Sequence, residues 1–263
     1  MESVSKFLFI NMYEKLEYKS VEPNQDLSDF VDSFWCMKNK SDENLETIGL
    51  PDGRIDLSLI QTPENPFEIR LLGLGTKQYE KGLIPANSVT FVISFKLPAI
   101  EYIFHESIAD LLNSGKILEN DFWNFNKSDL ENFELFCKKA SLKIQSLLVK
   151  EIDTRKQKLF KLIYETNGEL TVKKFSEKSN WSSRQINRYF QHYFGLSLKE
   201  YCSILRFRAS LEHIAKGKLF PEENFSDQTH FIKEIKKISG SLPKELFKNK
   251  NDRFILLSAL SSK

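Results

Sequence analysis

Within residues 184–192 the chain reads RQINRYFQH, which holds two guanidiniums, three amides, an imidazole and no carboxylate. Stepping 100° per residue from Arg184 puts Ile186, Tyr189, Phe190 and Tyr193 between about 140° and 240°, a core-facing stripe. Arg184, Asn187, Arg188, Gln191 and His192 fall between about −60° and +80°, on the other side. Such donors hydrogen-bond guanine and adenine edges and hold phosphates. A helix face that serves only solvation usually mixes in Asp or Glu to gain i,i+4 pairs. A second stretch, SDQTHFIKEIKKISGSLPKELF (226–247), repeats the plan. Phe231, Ile235 and Ile238 form its apolar stripe. Thr229, His230, Lys233, Lys236 and Lys237 lie opposite, with Glu234 as the one acid.

Other chemistry is weakly signalled. PDGRID (51–56) sets Asp52 and Asp56 around Arg54, but no nucleophile or histidine accompanies them, and Pro-Asp-Gly is a turn sequence. A turn with a buried salt bridge is expected there, with no catalytic residues and no enzyme. Phe34 and Trp35 are candidates to line a ligand cavity, with the core of the first unit the more common place for such aromatics. Cys36, Cys137 and Cys202 are too few and too scattered for a disulfide framework, and His and Cys do not cluster as metal ligands. No metal and no cofactor is expected.

The elements that must position the two donor-rich stretches follow from pattern. Of the 263 residues, positions 1–150 hold 23 acids and 16 bases (−7), and 151–263 hold 13 acids and 22 bases (+9). Only the second part attracts a polyanion. Two units are expected, a β-rich one over 1–150 and a helical one over 151–263, joined within 149–158. Residues 45–97 carry short alternating runs (ETIGL, RIDLSLI, FEIRLLGLG, SVTFVISFKL) divided by turn signals, so an antiparallel sheet curled into a barrel or sandwich is expected. DLSDFVDSFWCM reads as a strand led by a short helical turn. From Ala99 the three- and four-residue spacing of AIEYIFHESIADLLNSG and LENFELFCKKASLKIQSLLVKEID predicts trailing helices, giving an α+β fold.

The rest reads as helices over 155–168, 171–180, 182–195 and 197–217, then two more in 226–247. Ser182 or Ser183, and then Ser226 or Asp227, cap the donor-rich pair. Gly195 and Gly240 stop them, and Ser241 caps the last helix with Pro243 in its first turn. The helix over 198–215 would be about 27 Å long, close to the ~34 Å between successive turns of one DNA groove. No run of about 18 apolar residues exists, so no membrane span is expected. The opening MESVSKFLFINMYEKLEY lacks the basic start and long apolar run of a signal peptide, and a cytoplasmic location is expected.

From about Lys158 to Phe247 the chain resembles the DNA-binding domain of the AraC family of bacterial transcription regulators. SSRQINRYFQHYFGLSLKEYCSILRFRASLEHI and FSDQTHFIKEIKKISGSLPKEL carry the likeness. It implies two helix-turn-helix units joined by a long helix, and double-stranded DNA as partner. By position it implies Arg184, Asn187 and Arg188 as base readers with Gln191 nearer the backbone, then Gln228, Thr229 and Lys233 in the second unit, with Lys236 beside them. Trp181, Ile186, Phe190, Phe225 and Phe231 match core positions, and Arg206 supports the fold or reaches a phosphate. PDGRIDL, LLGLGTK and VISFKLPAIEYIFHESIADLLN more generically resemble the family's sensor and dimerisation domains. The resemblance implies a transcription activator and leaves open RNA polymerase contact, a small-molecule effector and a homodimer. One departure stands out. Only GKLFPEENF (217–225) precedes the second donor-rich helix, where the family has a full helix. At most Pro221 to Asn224 makes a turn there, and Asn224 stands where glycine is usual. The alternative is a non-enzymatic ligand- or protein-interaction module with a degenerate helix-turn-helix domain.

Overall fold

The computed structural model describes residues 7–13, 16–77, 82–149, 151–220, 225 and 227–249. Nine strands come first: β1 (Phe7–Tyr13), β2 (Leu16–Val21), β3 (Val31–Asn39), β4 (Leu45–Thr47), β5 (Ile55–Gln61), β6 (Glu68–Leu72), β7 (Gly82–Ile84), β8 (Ser88–Phe95) and β9 (Gly115–Leu118). Seven of them form one antiparallel sheet in the order β1-β2-β3-β8-β5-β6-β9, with β1 and β9 at its edges, and β4 pairs with β7 in a small second one. Alternation sets the buried face: Ile55, Leu57 and Leu59 of β5 and Phe91, Ile93 and Phe95 of β8 are fully buried. A short 3-10 turn, Gln25–Leu27, precedes β3 as expected.

The β3–β8 register slips between Val31 and Ser33. Asp32 is the extra residue of this bulge, and a bulge re-aims the side chain it carries. The Asp32 carboxylate is turned toward the helical part of the chain, where it matters below.

The stretch 99–115 departs from the expected long helix. It makes a five-residue π-turn, Ile100–Phe104, then a 3-10 turn, Ala109–Leu111, and runs into β9. The helix stops because His105 and Asn113 both take left-handed backbone, at φ 58° each. The Ile108 N–H also donates to Tyr193 O, out of the local chain. The second expected helix of this region is α1 (Phe133–Leu147), capped by Asn132, whose Oδ1 accepts from Leu135 N. Its Phe133 and Phe136 rings meet Phe91 at 5.3 and 5.4 Å.

Among the described residues six more helices follow: α2 (Thr154–Glu165), α3 (Val172–Ser179), α4 (Ser183–Phe194), α5 (Leu198–Ala215), α6 (Gln228–Ser239) and α7 (Pro243–Lys248). Among the caps left open by the sequence, Ser182 caps α4 and Asp227 caps α6. Ser241 does not cap α7: Leu242 occupies that position, with its N–H donating to Glu245 Oε2. Pro243 is the first residue of that helix, where its missing N–H costs nothing. The proposed turn over Pro221–Asn224, and Ser226, lie outside the described residues.

Buried apolar side chains form one cluster that includes the sheet, α1 and α2 through the first half of α5. A second cluster joins Phe207, Leu211 and Ile214 of α5 to Phe231, Ile235, Ile238 and Leu246, and takes Leu50 from beside the PDGR turn. Helix α5 therefore belongs to both.

Candidate nucleic-acid interface

Helices α3 and α4 are joined by three residues, Asn180, Trp181 and Ser182, with Asn180 left-handed at φ 54°. Ser182 and Gln185 make a reciprocal capping box, so α4 starts at a fixed point. It ends at Gly195, φ 73°, whose N–H donates to Gln191 O. Between these ends Ile186, Tyr189, Phe190 and Phe194 are buried, each contributing roughly 1.5–3 kcal/mol. Phe190 packs against Phe160, Phe194 and Tyr201 at 5.2–6.0 Å.

Arg184, Arg188, Gln191 and His192 are exposed, as the helical projection required. Asn187 is half-buried, and its Oδ1 is enclosed without a hydrogen-bond partner. It lies at the margin of the projected face, about 60° from the edge of the apolar stripe, so partial enclosure is the geometric consequence. Trp181 is buried and its ring faces Tyr189 at 5.2 Å. Arg206 donates to Gly168 O and Ser203 Oγ, which ties α5 to the end of α2.

On α6, Gln228, Thr229, Lys233, Lys236 and Lys237 are all exposed. The one acid within α6 is turned away from them. Glu234 Oε2 accepts from Ser203 Oγ of α5 at 2.9 Å, so the outer face of α6 presents no carboxylate between Gln228 and Ser239. Sequence alone could not assign Glu234 inward; its partner lies 31 residues away. Phe225 packs on Phe231 at 5.1 Å.

Several residues that hold this surface in place carried no sequence signal. Asp32 Oδ1 accepts from Arg54 Nη2 at 2.7 Å and Asp32 Oδ2 from Arg208 Nη2 at 2.9 Å, so one carboxylate bridges the PDGR turn and α5. Burial would raise the Asp32 carboxyl, but Arg54 and Arg208 together hold it far below the usual carboxylate range. Burial likewise disfavours the Arg54 charge, and Asp32 more than offsets it, keeping the guanidinium above its ordinary value. The PDGR stretch is thus the turn and buried salt bridge expected: Gly53 is left-handed at φ 75°, and Asp52 Oδ1 accepts from Arg54 N. Tyr201 OH donates to Gly53 O, and Tyr164 OH lies 3.1 Å from Tyr201 OH while accepting from Leu97 N. Phe34 is buried, and Trp35 lies against Tyr18 at 5.9 Å. A cavity of about 510 Å³ opens beside this bridge, lined among others by Arg54, Lys96, Arg208, Glu212 and Tyr164.

Among the described residues no group of three or more His, Cys, Asp or Glu could hold a metal ion, and no helix is long and apolar enough to cross a membrane. Cys36 and Cys202 are buried and Cys137 half-buried, and burial pushes the thiols of Cys36, Cys202 and Cys137 up to about 11, 12 and 12 respectively.

No protein-family model matches the chain, and no curated relative does. Among solved structures it is similar to ToxT from Vibrio cholerae. For an apo lysine-to-alanine variant of ToxT from strain SCE256 the identity is 13%, over 86% of this chain and 98% of that one, with a TM-score of 0.41. For the P21 form of ToxT the identity is 13%, over 89% and 98%, with a TM-score of 0.42. For ToxT of strain O395 it is 12%, over 81% and 95%, again with a TM-score of 0.42.

Proposed function

We propose that this chain is a sequence-specific DNA-binding transcription regulator of the AraC type, with an activating role. Residues 151–263 would bind double-stranded DNA, and residues 1–150 would form the sensing or self-association unit. In this reading α3 and α4 are a helix-turn-helix, α4 enters the major groove, and Arg184, Asn187 and Arg188 contact base edges while Gln191 reaches the backbone. Helix α6 supplies the second contact through Gln228, Thr229, Lys233 and Lys236. The observation that carries the proposal is the absence of any carboxylate from the outer faces of α4 and α6, each backed by a buried apolar stripe. A solvated face has no reason to avoid carboxylates, whereas a phosphate-facing one does. The cavity beside the Asp32 bridge supports an effector role for the first unit.

Selection of bound duplexes from a random pool tests this. Two conserved blocks about one helical turn apart are expected. Arg188→Ala should relax the preference at its base and cost about 1–3 kcal/mol, while Lys236→Gln should weaken all duplexes alike and reduce the salt slope by about one. A chain that shows no salt-sensitive binding to any duplex would refute the proposal. A single recovered block would favour the second reading for α6, which the short 217–225 connection supports. In that reading the second unit is degenerate and contacts protein or phosphate only.

A further inference from the structure

Helix α4 is held from beneath by a segment of the sheet-bearing unit. The last four carbonyls of a helix have no partner within it. In α4, two of these are satisfied from residues some 85 positions upstream: Ser107 Oγ donates to His192 O at 2.6 Å, and Ile108 N to Tyr193 O at 2.9 Å. Ser107 is itself oriented by accepting from Ala109 N. The approach is close, since a Cβ added at Gly195 would lie 2.8 Å from Ala109 O. One turn earlier, Tyr189 OH donates to Glu101 Oε2 at 2.8 Å. The other oxygen of Glu101 accepts from Lys156 Nζ of α2, and that ammonium sits 4.7 Å from the centre of the Tyr189 ring. The side chains of Glu101 and Lys156 are 20% and 16% exposed, so this pairing is poorly screened.

These holds fall one residue from the proposed DNA contacts: Tyr189 follows Arg188, and His192 follows Gln191. The holding segment, residues 100–109, lies in the chain between strands β8 and β9 of the main sheet. Its backbone is unusual, a π-turn ended by a left-handed His105. Single π-turns are rare and occur frequently at functional sites. A helix fixed by side-chain packing alone could still rock about its axis; two capped carbonyls and a hydroxyl–carboxylate bond remove that freedom. We infer that Glu101 and Ser107 are positioning residues for DNA reading, so that the sheet-bearing unit sets the attitude of α4 through residues 100–109. The inference rests on α4 reading DNA, and it adds the route by which the first unit acts on that reading.

The test uses the full chain, the duplex recovered by selection and a scrambled duplex of equal length. It compares Glu101→Gln, Tyr189→Phe, the double variant and Ser107→Ala, each well below its own melting temperature. Glu101→Gln and Tyr189→Phe should each lower the ratio of specific to scrambled affinity about tenfold, within the usual range of coupling between sites. The double variant should lose no more than Glu101→Gln alone, because both changes weaken the Tyr189–Glu101 bond and only Glu101→Gln also discharges the Lys156 pair. Ser107→Ala should move the ratio in the same direction. The salt slope should stay at the wild-type value, since no phosphate contact is touched; a purely structural role would lower the melting temperature and leave the ratio alone. Arg188→Ala separates the two claims. If it lowers the ratio while the Glu101, Tyr189 and Ser107 variants do not, the positioning role is wrong and DNA reading by α4 stands. If Arg188→Ala also leaves the ratio unchanged, α4 does not read DNA and the inference falls with that reading.

Discussion

Replacing Asp32 by alanine is the sharpest perturbation of the contact between the PDGR turn and α5. Among the described residues this carboxylate is the sole acidic partner of Arg54, whose side chain is 7% exposed, and it also binds Arg208, 29% exposed. Arg54 Nε already lacks a partner, and what else holds the guanidinium is a 3.4 Å bond from Nη1 to Gly53 O and the face of the Tyr164 ring, 5.3 Å away. Asp32→Ala therefore leaves one enclosed guanidinium without an acidic partner beside a second. Breaking a buried pair in this way costs about 3–5 kcal/mol, against about 0–1 kcal/mol for a surface pair. For a chain of this size that corresponds to roughly 6–20 °C in melting temperature. Circular dichroism at pH 7 reads it directly. The pH dependence provides a second check. Because the folded carboxyl lies below its unfolded value, its contribution is full above the unfolded pKa of about 3.9 and fades as pH falls further. The gap between wild type and variant should accordingly be constant from about pH 5 to 8 and close in acid. A loss under about 1 kcal/mol would show that the bridge behaves as a surface pair and does not lock the PDGR turn to α5.

Asp56 should show the opposite sign. Burial and the neighbouring Asp52 push its carboxyl up to about 7, while Ser94 Oγ donates to it at 2.7 Å. Against an unfolded value of about 3.9, the folded chain binds the extra proton, so stability falls as pH rises from about 4 to 7. Asp56→Asn should remove that slope and be the more stable protein at about pH 8; parallel urea-midpoint profiles for the two would overturn this. Gly168→Ala should cost at least about 2 kcal/mol, since φ is 71° and the new Cβ would lie 2.7 Å from Cys202 Cα, on the backbone of α5. Thermal melting at neutral pH measures it, and a neutral effect would mean that the α2–α5 contact is looser than described.

The helical part was legible in the sequence because its grammar is local. Gly195 and Gly240 as stops and the apolar stripes of α4 and α6 follow from spacings of three or four residues. The same spacings narrow the caps to Ser182 or Ser183 and to Ser226 or Asp227, while Ser241 stands one residue before the position that caps α7. Strands β5, β6 and β8 were legible for the same reason, through period-two alternation, whereas β7 was not. What failed was 99–115, where helical spacing predicts a helix and the chain instead makes two tight turns and β9. There the Ile108 N–H is taken by Tyr193 O, a tertiary partner no local rule can supply. Asp32 illustrates the other blind spot. In VDSFW it reads as one polar residue of an alternating strand, and only the bulge sends its carboxylate across to Arg208. Arg54 was expected to form a buried salt bridge, yet its partner could not be chosen among the acids of the first unit.

These contacts change what the long helix is for. As a spacer, α5 would need only length. Its first half instead packs Tyr201 and Leu205 on the sheet unit, where a Cβ on Gly53 would come within 3.1–3.2 Å of both side chains. Its second half packs Phe207, Leu211 and Ile214 on α6 and α7, with Leu50 joining that same cluster. Residues 50–54 thus touch α5 on both sides of its midpoint, through Leu50, Gly53 and the Arg54–Asp32–Arg208 bridge. Meanwhile residues 101–109 grip α4 directly. The sheet-bearing part therefore reaches α4 directly through Glu101 and Ser107, and reaches α6 through Leu50 and α5. The PDGR turn also touches α4 at one remove, because Tyr201 OH donates to Gly53 O and its ring packs on Phe190 of α4, so α5 ties both donor-rich helices to the residues around the Asp32 bridge.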